Sequence, residues 1–381
     1  MNLFKIENYN TKIILTIFGI KITYKKNISS ETELKKFPEK IYIQEFNKKW
    51  AGKEAWFCDW FTKWIVFSYE DVTFCCEGRE ISSLKPPNIE PITLKNYLER
   101  LDMVLNDMQL ENNPCIGCKQ LVKKIIPKYK LYGQIESFSI SHYTKCHIRC
   151  AYCFIPLKNL GYKDDMKYNA VETINFFRNM NMVSDNATIG WGGGEPTISK
   201  YFDKNIEAIK KMGYKQFINT TAVLFSETIM KGLQEGNISI QISVDSGSPQ
   251  TYKKVKGVDK YEVVWTNIKK YCQFSNMVRV KYILFEWNAN EIDINGFIEK
   301  CVWAGVKNVT VSPEMTAENC FPSNPTNWNM NNKKVTDMAA LIKYLCKKNG
   351  LNLEPYIGVY WTKQHLEDID IEFTRLNNYK E

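Results

Sequence analysis

The regular alternation of short apolar strands with helical patterns between residues 135 and 312 is the feature that most restricts the fold. Strands are predicted at 135–141, 187–191, 215–220, 238–244, 278–285 and 306–312. Helical patterns lie between them, for example at 168–180, 261–272 and 291–304, where apolar residues recur every three or four positions. Such alternation is typical of parallel strands joined by crossover helices. Six such units predict an α/β fold, a partial (β/α)6 barrel of the TIM type.

Segments with a different pattern flank the predicted barrel. The first combines β-like stretches at 12–24 and 72–75 with a charged helical pattern at 94–110, which predicts a smaller α+β domain that contains cysteines. The last begins with a loop rich in Asn and Pro, followed by a predicted helix at 334–347 and a strand at 351–356. We therefore expect an N-terminal domain at 1–130, the barrel at 131–317 and a C-terminal extension packed on the barrel at 318–381.

Charge and hydropathy exclude several classes of function. The formal net charge is +9, but the lysines are spread along the whole chain, so no nucleic-acid partner is expected. The longest apolar run near the N-terminus, 13–20, is too short for a bilayer and lacks a cleavage site, which predicts a cytoplasmic protein without a membrane span. In a reducing cytosol the twelve cysteines are expected to serve metals or catalysis. Three histidines leave little material for a hydrolytic triad.

One eight-residue loop directly after the first predicted barrel strand contains Cys146, Cys150 and Cys153. A compact loop with three thiols can reach three irons of a cubane cluster and leave the fourth iron open. An open iron can chelate the amino and carboxylate groups of a methionine moiety and pass an electron to its sulfonium. The alternatives are a zinc knuckle or three buried thiols, although zinc requires a fourth ligand and usually paired cysteine spacings.

Polar or glycine-rich segments also follow the second and fourth predicted strands. The second strand runs into Trp-Gly-Gly-Gly-Glu-Pro at 191–196, where the absence of Cβ atoms lets a ligand approach the backbone. The fourth strand ends with Ser243 and Asp245, whose side chains are suited to ribose hydroxyls. A tight turn and a helix cap are the corresponding structural interpretations. At one rim of a barrel, these segments predict a cofactor site beside the cysteine loop.

Together, the cysteine spacing with an aromatic before the third cysteine, the Gly-Gly-Glu-Pro segment and Ser-x-Asp-Ser-Gly resemble the motifs of the radical S-adenosylmethionine (radical SAM) superfamily. The resemblance covers roughly residues 135–312. It implies a catalytic 4Fe-4S cluster that cleaves S-adenosylmethionine reductively, with the electron supplied by a donor such as flavodoxin or ferredoxin. The implied cluster ligands are Cys146, Cys150 and Cys153, and the implied cofactor-binding residues are Tyr152 near the adenine, Gly193, Gly194 and Glu195 at the methionyl amino group, and Ser243 and Asp245 at the ribose.

A second set of cysteines lies in the N-terminal domain: Cys58, the pair Cys75 and Cys76, and Cys115 with Cys118. Four separated thiols that include a Cys-x-x-Cys pair can enclose a tetrahedral ion or a complete cubane. The set resembles the auxiliary-cluster modules of the superfamily, called SPASM or twitch, although here it precedes the barrel. We expect one auxiliary 4Fe-4S cluster on Cys58, Cys75 or Cys76, Cys115 and Cys118, with structural zinc on the same ligands as the alternative.

The resemblance also implies a class of reaction, an oxidoreductase-type modification by the 5'-deoxyadenosyl radical. Family members with auxiliary clusters often modify ribosomally made peptides, so a peptide is the first expected substrate. A small metabolite or a surface-carbohydrate precursor is the alternative, and a non-catalytic iron-sulfur scaffold is a second one. Lys281, Glu286 and Asn288, on or just past the fifth strand, are candidates to contact the cofactor carboxylate or the substrate.

Overall fold

The computed structural model describes most of the chain, with several gaps. The described residues are 4–8, 12–17, 20–25, 39–67, 72–74, 93–113, 115–116, 118, 120–130, 132–141, 143–153, 169–285, 288–314, 332–354 and 361–380. Cys75, Cys76 and Glu286 therefore lie outside the described residues, as does most of the loop between the predicted barrel and its C-terminal extension.

The elements of the described residues alternate as the sequence predicts. The strands are β1 (Phe4–Asn8), β2 (Lys12–Ile17), β3 (Ile20–Lys25), β4 (Glu54–Phe57), β5 (Trp64–Phe67), β6 (Val72–Thr73), β7 (Val122–Ile125), β8 (Ile135–Ile140), β9 (Val183–Trp191), β10 (Lys215–Thr220), β11 (Ile238–Ser243), β12 (Val278–Leu284), β13 (Asn308–Pro313) and β14 (Asn352–Leu353). The helices are α1 (Glu39–Trp50), α2 (Leu94–Met108), α3 (Ala170–Asn179), α4 (Phe202–Lys211), α5 (Glu227–Glu235), α6 (Pro249–Lys256), α7 (Tyr261–Cys272), α8 (Glu291–Ala304), α9 (Asn332–Lys348) and α10 (Lys363–Lys380).

A nine-stranded sheet is the centre of the fold, with strand order β14-β13-β12-β11-β10-β9-β8-β5-β6. All pairs from β5 to β14 are parallel, and only β6 is antiparallel to its neighbour. At least one helix separates each pair of consecutive strands from β8 to β14, as parallel crossovers require. The α/β prediction with a largely parallel sheet is confirmed, and all six predicted barrel strands are present.

Three strands from outside the six predicted units, β5, β6 and β14, extend this sheet. β5 pairs with β8, and β14 pairs with β13. No local sequence pattern predicts that β5 or β14 joins this sheet, because β5 belongs to a tryptophan-rich stretch and β14 is only two residues long. The described part of the first segment also forms an antiparallel sheet β1-β2-β3 and an antiparallel pair β4-β7.

The core lies between the sheet and its helices. One face of strands β10 to β13 carries side chains with no exposed surface, namely Ile218, Ile240, Ile242, Val280, Tyr282, Val309 and Val311. The opposite face of the same strands carries mainly polar side chains, which follows from the two-residue period of a strand. Among the described helices, none is long and apolar enough to cross a bilayer.

Candidate functional site

The cysteine loop and the glycine segment meet at the carboxyl ends of β8 and β9. The backbone N–H of Gly194 donates to the Tyr143 carbonyl at 2.7 Å, and the N–H of Glu195 donates to the Lys145 carbonyl at 2.9 Å. The two segments therefore run side by side immediately before Cys146. This edge of a parallel sheet is where α/β proteins build their ligand sites.

The three cysteines of the loop are free thiols and half-buried. Burial raises the pKa of Cys146 to about 11, and the neighbouring charges of Glu195, Cys150 and Cys153 raise it as well. Burial also raises the pKa of Cys150. These two thiols are thus protonated at neutral pH, and binding of a metal would release their protons. Three soft sulfur donors suit iron–sulfur chemistry better than hard cations such as magnesium.

Within the described ranges, no three His, Cys, Asp or Glu side chains converge as the ligands of a single ion would. A cubane distributes three cysteines over three different irons, one to each. Three thiols on one loop match the number of ligands of a cluster with one open iron.

The C-terminal end of α6 holds the cysteine loop in place. The N–H groups of Arg149 and Ala151 donate to the carbonyls of Lys256 and Val255, each at 2.9 Å. These carbonyls are among the last four of the helix, which have no partner within the helix itself. The loop thus satisfies the helix end while the helix fixes the backbone around Cys150.

A buried network of Asp245, Lys256 and Tyr152 lies under the same loop. The Tyr152 hydroxyl donates to Asp245 Oδ2 at 2.5 Å, and the Lys256 amine donates to the Tyr152 hydroxyl at 2.6 Å. Lys256 also forms an ion pair with Asp245. Asp245 Oδ1 accepts from the backbone N–H of Ile283 at 2.7 Å. Asp245 has no exposed surface, so its carboxylate is committed to holding the loop, and the predicted ribose contact stays a prediction that would require this network to open.

Lys256 is the residue of this network that the sequence analysis missed. It is 1% exposed, and it lies 104 positions from Tyr152 along the chain. The only local signal is a lysine at the end of a basic helix, which is ordinarily a solvated residue. Asn288, by contrast, was a candidate for ligand contact, but its amide is fully used. It donates to the carbonyls of Asp245 and Ile283 and accepts from the N–H of Phe285.

Glu195, at the end of the glycine segment, is hydrogen-bonded to the end of the next strand, β10. Its carboxylate accepts from the hydroxyls of Thr197 and Thr220, at 2.6 and 2.8 Å, and from the N–H of Thr221 at 2.6 Å. The side chain has no exposed surface. The Glu195 carboxylate thus ties the ends of β9 and β10 together.

The residues predicted to bind S-adenosylmethionine retain acceptors and donors for it. Among the described residues, no donor bonds to the carbonyl oxygens of Gly193 and Gly194, and the Ser243 hydroxyl has no hydrogen-bond partner. An ammonium group requires such acceptors. The Tyr152 ring is stacked on Phe285 at 5.1 Å between centroids, which gives the rim an aromatic face. The two carbonyl acceptors therefore suit the amino group of the cofactor, and the Ser243 hydroxyl suits its sugar.

The described cysteines of the N-terminal segment lie at one end of the β4-β7 pair. Phe57 of β4 is in register with Val122 of β7, so Cys58 at the end of β4 is adjacent to the start of β7. Cys115 and Cys118 form a turn just before β7, in which the Cys118 N–H donates to the Cys115 carbonyl at 2.9 Å. The topology thus brings three of the four predicted auxiliary ligands to the same end of this small sheet. The fourth, Cys75 or Cys76, lies outside the described residues.

Residues 140–292 match the model of the Radical SAM superfamily. The matched range contains the cysteine loop, the glycine segment and the network under the loop. The match supports a radical SAM domain, and with it a 4Fe-4S cluster and S-adenosylmethionine as cofactors.

Curated relatives align with about the same half of the chain. A probable GTP 3',8-cyclase of Methanocaldococcus jannaschii is 26% identical over 175 residues, which are 46% of this chain and 57% of that protein. The GTP 3',8-cyclase of Pasteurella multocida is 27% identical over 161 residues, 40% of this chain and 46% of that protein. The alignments thus span about half the length of these relatives.

Solved structures of similar chains include Streptococcus suis SuiB bound to its precursor peptide SuiA, with 13% identity and a TM-score of 0.46 over 98% of this chain and 73% of that chain. Another is anSMEcpe with bound AdoMet, with 17% identity and a TM-score of 0.45 over 57% of this chain and 63% of that chain.

Proposed function

We propose that this chain, with a radical SAM domain at 140–292, cleaves S-adenosylmethionine reductively and uses the resulting radical to modify a substrate. The observation that carries the proposal is the loop of three half-buried thiols packed against the glycine segment at one edge of the sheet. A 4Fe-4S cluster on Cys146, Cys150 and Cys153 would supply one electron to the cofactor, giving methionine and a 5'-deoxyadenosyl radical that takes a hydrogen atom from the substrate.

The chain's own residues would position the cofactor. The carbonyls of Gly193 and Gly194 would accept hydrogen bonds from the methionyl ammonium, and Ser243 would bond to the ribose. Tyr152, with its hydroxyl held by Asp245 and Lys256, would offer one ring face near the adenine. Because the hydroxyl is anchored, the ring orientation is fixed before the cofactor binds, which reduces the ordering cost.

The first proposed substrate is a ribosomally made peptide, because superfamily members that resemble this chain in having auxiliary cysteines often act on peptides. A small metabolite or a surface-carbohydrate precursor is the second candidate. It is supported by the relatives named GTP 3',8-cyclase, whose name describes a nucleotide substrate. In either case the reaction is of oxidoreductase type, and a low-potential donor such as flavodoxin or ferredoxin would supply the electron. The cytosol, where thiols stay reduced, is the proposed location.

The proposal is tested by cofactor cleavage without a known substrate. Anaerobically reconstituted protein, reduced with dithionite, is expected to form 5'-deoxyadenosine and methionine in equal amounts, as measured by chromatography. If protein with a full cluster forms no 5'-deoxyadenosine, even with cell extract added as a substrate source, the non-catalytic scaffold would be the better interpretation.

An auxiliary 4Fe-4S cluster on Cys58, Cys115, Cys118 and either Cys75 or Cys76 is the second part of the proposal. Iron analysis is expected to give about eight irons per chain, four for each cubane. The variant with Cys146, Cys150 and Cys153 all replaced by Ala is expected to keep about four, whereas Cys58→Ala keeps the four of the cysteine loop. Zinc in place of iron in the triple variant would identify a structural zinc site instead.

A further inference from the structure

Lys281 lies on the concave face of β12, opposite the helices. The ring of Tyr282 packs edge-on against Phe297 of α8, with centroids 4.9 Å apart, so Tyr282 faces the helices. Successive residues of a strand point to opposite faces, which directs Lys281 into the barrel interior. In the parallel register Lys281 stands beside Ser243 of β11 and Thr310 of β13.

The amine of Lys281 is buried. The residue is 9% exposed, and within the described part of the chain its side chain forms no hydrogen bond and no ion pair. Arg279, the preceding residue on the same face, is paired with Glu354. Lysine is almost never buried unless it is paired, because an isolated buried charge destabilises the fold. The stability of the chain alone therefore gives no reason for a lysine at this position.

The next residue after Lys281 on this face belongs to an apolar cluster under the cysteine loop. Ile283, the next residue on the same face, packs with Val255 and Phe285 and against Tyr152 under the loop. Asp245 and Lys256, whose charges act on Lys281, are paired with each other. Burial lowers the pKa of Lys281, and the charge of Asp245 opposes this only in part. A bound anion would restore the charged form of the amine.

A second polar group on this face is also buried. The Ser312 hydroxyl of β13 is buried, and no hydrogen-bond partner exists for it among the described residues. Ser312 stands beside Ile283, one step along the same face from Thr310. Thr310 and Ser312 are each 1% exposed. The interior thus presents one amine and two hydroxyls that can all donate to an oxygen-rich group.

We propose that Lys281, with the hydroxyls of Thr310 and Ser312, binds an anionic oxygen group of the substrate, a phosphate or a carboxylate. The inference rests on the proposed function, because it assigns the ligand to the substrate of the radical reaction. A lysine binds an oxyanion as a point charge, and hydroxyl donors complete the shell. The group would anchor the substrate in the interior and leave its remaining part directed toward the rim.

The test measures anion binding directly and needs no turnover. Reconstituted protein saturated with S-adenosylmethionine is titrated with inorganic phosphate and, separately, with acetate at constant ionic strength, and the rise in melting temperature gives an apparent Kd. We expect Lys281→Met to weaken binding of the preferred anion by about tenfold or more, since a hydrogen bond to a charged group is lost. Tighter phosphate than acetate binding would indicate a phosphorylated substrate, and the reverse a carboxylate.

Two controls make the result specific. Lys269→Met removes a half-buried lysine of α7 that lies over the Trp303 ring, outside the proposed site. It is expected to leave the titration unchanged, which accounts for general salt effects on a basic protein. Without anion, Lys281→Met is expected to melt at or above the wild-type temperature, because an unpaired buried amine is replaced by an apolar side chain. Lys281→Gln, which keeps polarity but not charge, serves as a second variant and should also lose the anion.

Three outcomes would overturn the proposal. The first is an equal anion affinity of Lys281→Met, Lys281→Gln and wild type. The second is a tenfold loss of S-adenosylmethionine affinity in both variants, which would make Lys281 a contact of the cofactor carboxylate. The third is a lower melting temperature of both variants without anion, which would give Lys281 a structural role. A failure of the proposed function would instead appear as absent 5'-deoxyadenosine with anion binding intact.

Discussion

Replacing Cys150 by Ala is expected to abolish formation of 5'-deoxyadenosine from S-adenosylmethionine. The variant loses one of three thiolates, and two thiolates cannot hold a cubane that keeps one iron open. The packing cost is small by comparison, because the loop backbone stays bonded to the end of α6 through Arg149 and Ala151. We expect product at the level of a protein-free control, measured by chromatography, together with the loss of the absorption band of the loop cluster.

Cys272→Ala is the matched control for this experiment. Cys272 ends α7 and packs against the hydrophobic core, so it is a core thiol rather than a ligand. Its replacement is expected to cost about 1 kcal/mol of the free energy of unfolding and to leave cofactor cleavage at the wild-type rate. If Cys150→Ala still formed 5'-deoxyadenosine, or if Cys272→Ala lost it as well, the assignment of the loop thiols as ligands would fail.

Local pattern was sufficient to predict the secondary structure of the barrel. The strands and helices around Cys146 and Glu195 follow from periodicity and from glycine and proline signals, which report only on nearby residues. That both segments lie at one edge follows from the rule that parallel strands end together. The addition of β5 to the sheet did not follow, because pairing between distant segments is fixed by packing of the whole chain.

The roles of individual polar side chains were less predictable than their location. Asp245 lies where the sequence places it, at the end of β11, with a left-handed φ of 59°. Its partners are Lys256, Tyr152 and the N–H of Ile283, and none of these contacts is encoded in a short motif. A carboxylate at a barrel rim can bind a ligand or hold a neighbouring loop. Only the three-dimensional structure shows how many of its acceptor sites are already occupied.

The glycine segment shows the same distinction between place and role. The sequence analysis explained Gly193 and Gly194 by the space that a ligand requires near the backbone. In the structure, a Cβ atom at Gly194 would lie 2.2 Å from the Lys145 carbonyl oxygen, and one at Gly193 would lie 2.6 Å from that of Tyr143. The space beside both glycines is therefore filled by the backbone that leads to the cysteine loop. Gly193 also has a φ of +87°, which side chains rarely adopt.

Gly194→Ala is accordingly expected to lower both the iron content of the loop and the affinity for S-adenosylmethionine. A methyl group 2.2 Å from a carbonyl oxygen forces one backbone segment to move, and neither is a flexible side chain. Overpacking of this kind costs about 1–3 kcal/mol or more. The movement would weaken the hydrogen bond between the Glu195 N–H and the Lys145 carbonyl, which lies directly before Cys146. Iron analysis and equilibrium dialysis with S-adenosylmethionine measure the two effects separately.

Gly190→Ala, on β9 just before the glycine segment, is the matched control for this prediction. Its Cβ would lie 3.5 Å from the Phe138 carbonyl oxygen, an ordinary contact, so iron content and cofactor affinity are expected to stay at the wild-type values. Gly194→Ala with full iron but no cofactor affinity would support the ligand-space explanation, because the methyl group would then act on the cofactor alone. Retention of both by Gly194→Ala would mean that the loop backbone moves aside at little cost, and the glycine segment would then not fix the position of Cys146.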